Sequence, residues 1–221
     1  MTKRFLLSFA LMMGFTGSLF AQDFKQTLGS TVKAFFEAKD QTEKTSQSNR
    51  LGLIAKKYNT EWSAAYYAAL SKIMMNYDEK DAAKKDAYLD EAEDFLSTAT
   101  TQTDKNDKMQ QSEIYAITAM LANARLGVDP QKRWQKYGKI FESNLEKAKE
   151  NNADNPRIYF LKATSTFFTP KMFGGGPKKA LPYFEKADGL FAKESKEDIT
   201  KPFWGKEAND EFMKQAKAAT E

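Results

Sequence analysis

Neither cysteine nor histidine occurs anywhere in the 221-residue sequence. The missing cysteines exclude disulfides, thiolate-bound metal and the lipidated N-terminal residue of a lipoprotein. The missing histidines remove the commonest general base near neutral pH and the commonest metal ligand, so Ser-His-Asp triads and histidine-based zinc sites are excluded. Carboxylate or lysine catalysis stays formally open. Strand signals are scarce, with few β-branched runs and no sustained alternation of apolar and polar residues. The one long apolar run, Phe5 to Phe15, is shorter than the about 20 residues that a membrane-spanning helix needs.

That run follows Lys3 and Arg4 and precedes small residues before Ala21-Gln22, which is the layout of a secretory signal peptide. The expected organisation is a leader over 1–21, cleaved after Ala21, and a single domain over 22–221. Leu19 is large for a residue three places before the cut, so cleavage after Ser18 is an alternative, and an uncleaved anchor is another. The expected location is the periplasm, in soluble form. The formal net charge of +4 falls to about +2 once Lys3 and Arg4 are set aside. Acidic and basic residues are interspersed, without the clustered basic face of a nucleic-acid binder.

What the sequence has in abundance is Ala, Lys, Glu and Gln, with apolar residues at helical spacing. Nine helices are expected, over about 23–39, 43–57, 60–77, 80–99, 109–126, 130–149, 156–168, 177–192 and 204–219. Thr60 is the expected N-cap of the third. Thr100 to Lys108 reads as a linker. Gly127 is the expected stop of the fifth helix. Asp129-Pro130 and Asn155-Pro156 each pair a capping residue with a proline at the first helical position.

Repeats emerge when Tyr67, Tyr115 and Tyr159 are aligned, because four residues later come Ser71, Ala119 and Ala163, all small. Aligning Leu89, Leu145 and Phe184 brings Ala92, Ala148 and Ala187 into register three residues on. A large residue and a small one at these offsets are the contact points of the two helices of a tetratricopeptide (TPR) repeat. The fold class expected is therefore all-α, built of antiparallel helix hairpins in a divergent TPR-like α-solenoid, with enlarged hairpin loops.

The chain resembles a group of exported TPR-like proteins of the Bacteroidota, a group without an assigned activity. The resemblance is carried by Trp62 to Ala69 with its Tyr66-Tyr67 pair, by Val128-Asp129-Pro130, by Asn155 to Lys162, by Thr169 to Gly176 and by Pro202 to Glu207. The first of these is one residue shorter than the group's pattern. A weaker likeness, to the periplasmic TPR component of some TRAP-type solute transporters, rests on the helical-repeat plan and the glycine-bearing loop.

In a TPR array the first helices of the pairs line a concave groove. Stepping along those helices from the aligned tyrosines reaches Phe160, then Lys72, Met120 and Thr164, then Met75, Asn123 and Phe167. Methionine adapts to varied partners, so these seven form the candidate groove. Gly174-Gly175-Gly176 before a helix start could cradle an anion, yet it lacks phosphate-loop spacing, and a turn closing a long hairpin is the plainer reading. Phe203 and Trp204 read as a plug for the end of the array. The carboxylates near Glu91 and Glu194 lie among lysines, as on a solvated face.

These features point to a non-catalytic scaffold or adaptor that holds a protein or peptide of the cell envelope, with no cofactor, no metal and no nucleic acid. The alternative is a carrier for a small-molecule solute. An open concave surface favours the first, and a closed aromatic-lined cavity favours the second.

Overall fold

The computed structural model describes residues 22–195 and 197–219. The expected leader lies outside the described residues. Among them the chain forms nine α-helices and no strand: α1 (22–37), α2 (Gln41–Lys57), α3 (Trp62–Asp78), α4 (Ala82–Gln102), α5 (Lys108–Val128), α6 (Pro130–Asn151), α7 (Pro156–Phe168), α8 (Pro177–Phe191) and α9 (Lys206–Ala218). One 3-10 turn, Lys171–Phe173, precedes α8.

Most helix starts follow from local capping chemistry. Asp40, Asp81, Asp107, Asp129 and Asn155 each accept a hydrogen bond from a backbone N–H of the first turn of α2, α4, α5, α6 and α7. Proline occupies the first turn of α6, α7 and α8, where no N–H partner is needed. Several boundaries differ from the sequence expectation. The expected linker Thr100 to Lys108 is shorter, because α4 runs on to Gln102 and α5 begins at Lys108. Thr60 does not cap α3, which begins after Glu61 on a backbone turn from Tyr58. Gly127 does not end α5, which runs on to Val128 and stops where Asp129 caps α6 ahead of Pro130. Trp204 precedes α9, because Gly205 turns the chain with φ 106° before the helix begins.

The helices pair as antiparallel hairpins, α3 with α4, α5 with α6 and α7 with α8. Within this array α3, α5 and α7 touch in succession and form an inner layer, backed by α4, α6 and α8. The aligned small residues show why the layers approach closely: Ser71, Ala119, Ala163, Ala92, Ala148 and Ala187 are all fully buried. Leu89, Leu145 and Phe184 are buried beside them. The inner helices are buried nearly all round, whereas α6 buries only Phe141, Leu145 and Ala148. That contrast follows from layer position, since an outer helix needs only one apolar stripe. Polar links fix the register between helices. The Ser48 and Ser71 hydroxyls meet at 2.9 Å between α2 and α3. Ser112 Oγ donates to the Ala148 carbonyl at 2.9 Å and accepts from Asn155 Nδ2 at 3.0 Å.

After α8 the chain does not simply continue the array. The stretch 197–205 returns across the inner side to α1, where Asp198 pairs with Lys25 at 3.0 Å and Ile199 packs over Gly29. It then lays Phe203 against Tyr67 and Trp204 against Phe160. Finally α9 packs back on α8 and α7.

Candidate functional site

The returning stretch is held by a buried polar cluster that joins three inner helices. Arg157 on α7 has no solvent exposure, and Glu113 on α5 has 4%. Arg157 Nη1 donates to Glu113 Oε1 at 3.1 Å and to Glu194 Oε1 at 2.7 Å, and Nη2 donates to the Pro202 carbonyl at 2.6 Å. On the other side, Tyr66 of α3 donates to Glu113 Oε2 at 2.8 Å, and Trp204 Nε1 donates to the Tyr66 hydroxyl at 2.8 Å. The guanidinium also lies over the rings of Phe191 and Trp204. Burial raises the Glu113 carboxyl above its ordinary value, with Arg157 and then Tyr66 opposing that rise. Burial works against the Arg157 charge too, but Glu113, Tyr66 and Glu194 outweigh it and hold the guanidinium firmly protonated. These bonds tie the Pro202 carbonyl and Trp204 to α3, α5 and α7, and within the cluster Arg157 Nε is left without a hydrogen-bond partner.

Trp204, only 5% exposed, forms part of the wall of an apolar cavity of about 530 Å³. The remaining wall comes from the inner helices and α9: Met74 and Tyr77 of α3, Met120 and Asn123 of α5, Phe160, Leu161, Thr164 and Phe168 of α7, Phe212 of α9, and Phe36 of α1. That volume lies within the range of about 300–1,000 Å³ usual for small-molecule sites. A wider cleft of about 1380 Å³ between α1 and the stretch 197–205 shares Phe36, Trp204, Gly205 and Glu207 with it, so the two adjoin. Lys25 and Lys33 border this outer cleft.

Of the seven groove candidates, the structure gathers Met120, Asn123, Phe160 and Thr164 around this cavity. The other three point elsewhere. Lys72 pairs with Glu91 at 2.8 Å and donates to Asn49, tying α3 to its neighbours α4 and α2. Met75 is fully buried and accepts from Gln41 Nε2. Phe167 packs among Phe168, Phe184 and Phe212 just behind the wall. Three wall residues lie outside the expected groove: Met74 one position before Met75, Tyr77 two positions after it, and Phe36 on α1. Phe203 and Trp204, expected as an end plug, are half-buried and buried respectively, and Trp204 is also part of the cavity wall.

The glycine loop is a tightly bonded turn. The N–H groups of Gly174, Gly175 and Gly176 donate to the carbonyls of Lys171, Pro170 and Thr166, so none is left to cradle an anion. A Cβ at Gly175 would stand 2.2 Å from the Thr169 carbonyl oxygen, which requires glycine there. Among the described residues there is no cluster of three or more carboxylates able to hold a metal ion. Nor is any helix of the described residues long and apolar enough to cross a membrane.

No family model matches the chain, and no curated protein matches it. Among solved structures it is similar to the HusA haemophore from Porphyromonas gingivalis, with 33% sequence identity, a TM-score of 0.73, and coverage of 91% of this chain and 94% of that one. The likeness spans both chains nearly end to end, with matching helices and more sequence in common than shared fold alone gives. The chain therefore belongs to the family of the HusA haemophore.

Proposed function

We propose that this chain is an exported, non-catalytic binding protein that holds haem or a related flat porphyrin in the cavity beside Trp204. The observation that carries the reading is the cavity itself: aromatic and methionine side chains on the inner helices, closed on one side by the chain's own segment 197–205 and α9. Kinship with a haemophore supplies the ligand class. The repeats that build the wall are read as divergent TPR hairpins, and location in the periplasm or beyond follows from the signal-peptide layout of 1–21.

Met120, Asn123, Phe160 and Thr164 are the proposed wall residues, with Phe167 as backing and Lys72 and Met75 as framework of α3. With no histidine and no cysteine in the chain, iron could be met from the wall only by Met74, Met120, Tyr77 or Glu207. Tyr77 is a poor anionic ligand: burial around its hydroxyl raises its pKa above the ordinary value, against the opposing Asn123 side chain. The residue as a whole keeps about half of its surface open at the rim. Ring-to-ring and thioether contacts with the macrocycle thus carry the affinity. Segment 197–205 fills much of the concave side, which makes a peptide in that groove the weaker reading.

The test is titration of the purified chain with haem and with metal-free protoporphyrin, read by quenching of tryptophan fluorescence and by the porphyrin absorbance. Saturable binding of both, with affinities within about ten-fold, or about 1.4 kcal/mol, is expected. Binding of neither would reject the ligand class, and binding of haem alone would reject the metal-independent mode.

A further inference from the structure

The end of α7 and its connection to α8 carry the most exposed large apolar side chains among the described residues. Met172 is 82% exposed, Phe173 72% and Phe168 68%. These are not the loose end of a mobile loop. The Phe173, Gly174, Gly175 and Gly176 N–H groups all bond to carbonyls of residues 166–171, which fixes the turn from beneath. Gly175 fits only because it has no side chain. The sequence thus builds a rigid tip whose apex is apolar.

The surroundings of the apex are basic. Lys171, Lys178 and Lys179 are all exposed, and none has a carboxylate within ion-pair distance among the described residues. The stem of Lys171 packs over Gly176. Lys179 borders the same shallow depression as Phe173 and Tyr183. Three apolar side chains fall far short of the about 20–30 residues per side that a stable protein interface uses. Two or three apolar side chains ringed by free lysines instead match the requirements of reversible attachment to an anionic lipid surface: shallow insertion of the apolar part and attraction of the cations to the headgroups.

We propose that the tip Phe168–Lys179 docks this protein on anionic bilayers, with Met172 and Phe173 entering the headgroup region and Lys171, Lys178 and Lys179 facing the lipid phosphates. Phe168 belongs to both the tip and the cavity wall, so docking would present the cavity mouth to the lipid. The docking step itself does not depend on the identity of the cavity ligand.

The experiment is co-sedimentation of ligand-free protein with vesicles of phosphatidylcholine alone and of phosphatidylcholine mixed with phosphatidylglycerol, at low and at high salt. The wild type should sediment with the anionic vesicles, with binding weakened by salt. M172S/F173S and, separately, K171E/K178E/K179E should each lower the partition coefficient more than ten-fold while melting like the wild type, since all five side chains are exposed. Absence of wild-type sedimentation at low salt would overturn the proposal and leave the tip to a protein surface. Sedimentation unchanged in both variants would overturn it as well, by moving the contact elsewhere.

Discussion

Replacing Arg157 by methionine tests the buried cluster that positions Trp204. The substitution keeps an unbranched apolar stem but removes the guanidinium, which leaves Glu113, 4% exposed, without its cation and removes the donors to Glu194 and the Pro202 carbonyl. Breaking a buried ion pair from one side costs about 3–5 kcal/mol, because a charge stays behind in a medium that cannot solvate it. For a chain of this size each kcal/mol lowers the melting temperature by about 2–4 °C, so the fall should be roughly 6–20 °C. The loss should depend on pH with a definite sign. Glu113 already has a raised pKa in the folded state, and removal of Arg157 raises it further by deleting the largest opposing interaction. A carboxyl raised in the folded state contributes its full stability below the unfolded value and loses it as pH rises through the folded value. The R157M deficit should therefore be smaller at pH 5 than at pH 7. Adding E113Q to R157M should recover part of the loss, measured by circular dichroism melts in a double-mutant cycle. A deficit under about 1 kcal/mol, or one equal at both pH values, would refute the reasoning that Glu113 sits as a buried anion dependent on Arg157.

Gly205→Ala should cost about 1–3 kcal/mol, because φ 106° is a region that side-chain-bearing residues avoid and the new Cβ would stand 3.0 Å from Phe191 Cζ. It should also weaken porphyrin binding by displacing Trp204, as seen in fluorescence titration. Asp86→Asn should flatten the acid limb of the stability curve: hydrogen bonds from Arg133, and less so from Arg125, hold that carboxyl below its ordinary value of 3.8. A depressed pKa adds stability above that value that is lost as pH falls through the folded one, so the variant should be less stable at pH 7 and lose less between pH 4 and pH 2 in urea melts.

Much of the helical plan was legible because it is local or periodic. Phe24, Leu28, Val32 and Phe35 recur at helical spacing and form the buried face of α1. The capping residues Asp129 and Asn155, each followed by proline, mark α6 and α7 in the sequence as they do in the fold. The aligned small residues are all fully buried, a packing requirement that leaves a strong trace in composition. The site was less legible. Four of the seven groove candidates line the cavity, since stepping by helical turns identifies a face but not what covers it. Lys72 and Met75 lie on that helix yet turn toward α2 and α4. The fold-back of 197–205 depends on Arg157, Glu113 and Tyr66, which come from three helices far apart in sequence. No periodicity or motif announces such a contact. An arginine just after Asn155-Pro156, in an otherwise apolar helix turn, was its only sequence trace.

The proposed porphyrin site is the cavity beside Trp204, and one variant addresses it most directly. Thr164 is half-buried on the wall, and its hydroxyl bonds only to carbonyls of its own helix, Phe160 and Leu161. Thr164→Trp would fill the cavity from α7 without breaking a hydrogen bond between helices. Titration with haem should show the dissociation constant rising at least about ten-fold, a loss of at least about 1.4 kcal/mol, with the circular dichroism spectrum unchanged. Wild-type affinity in the folded variant would contradict the account and place the ligand elsewhere.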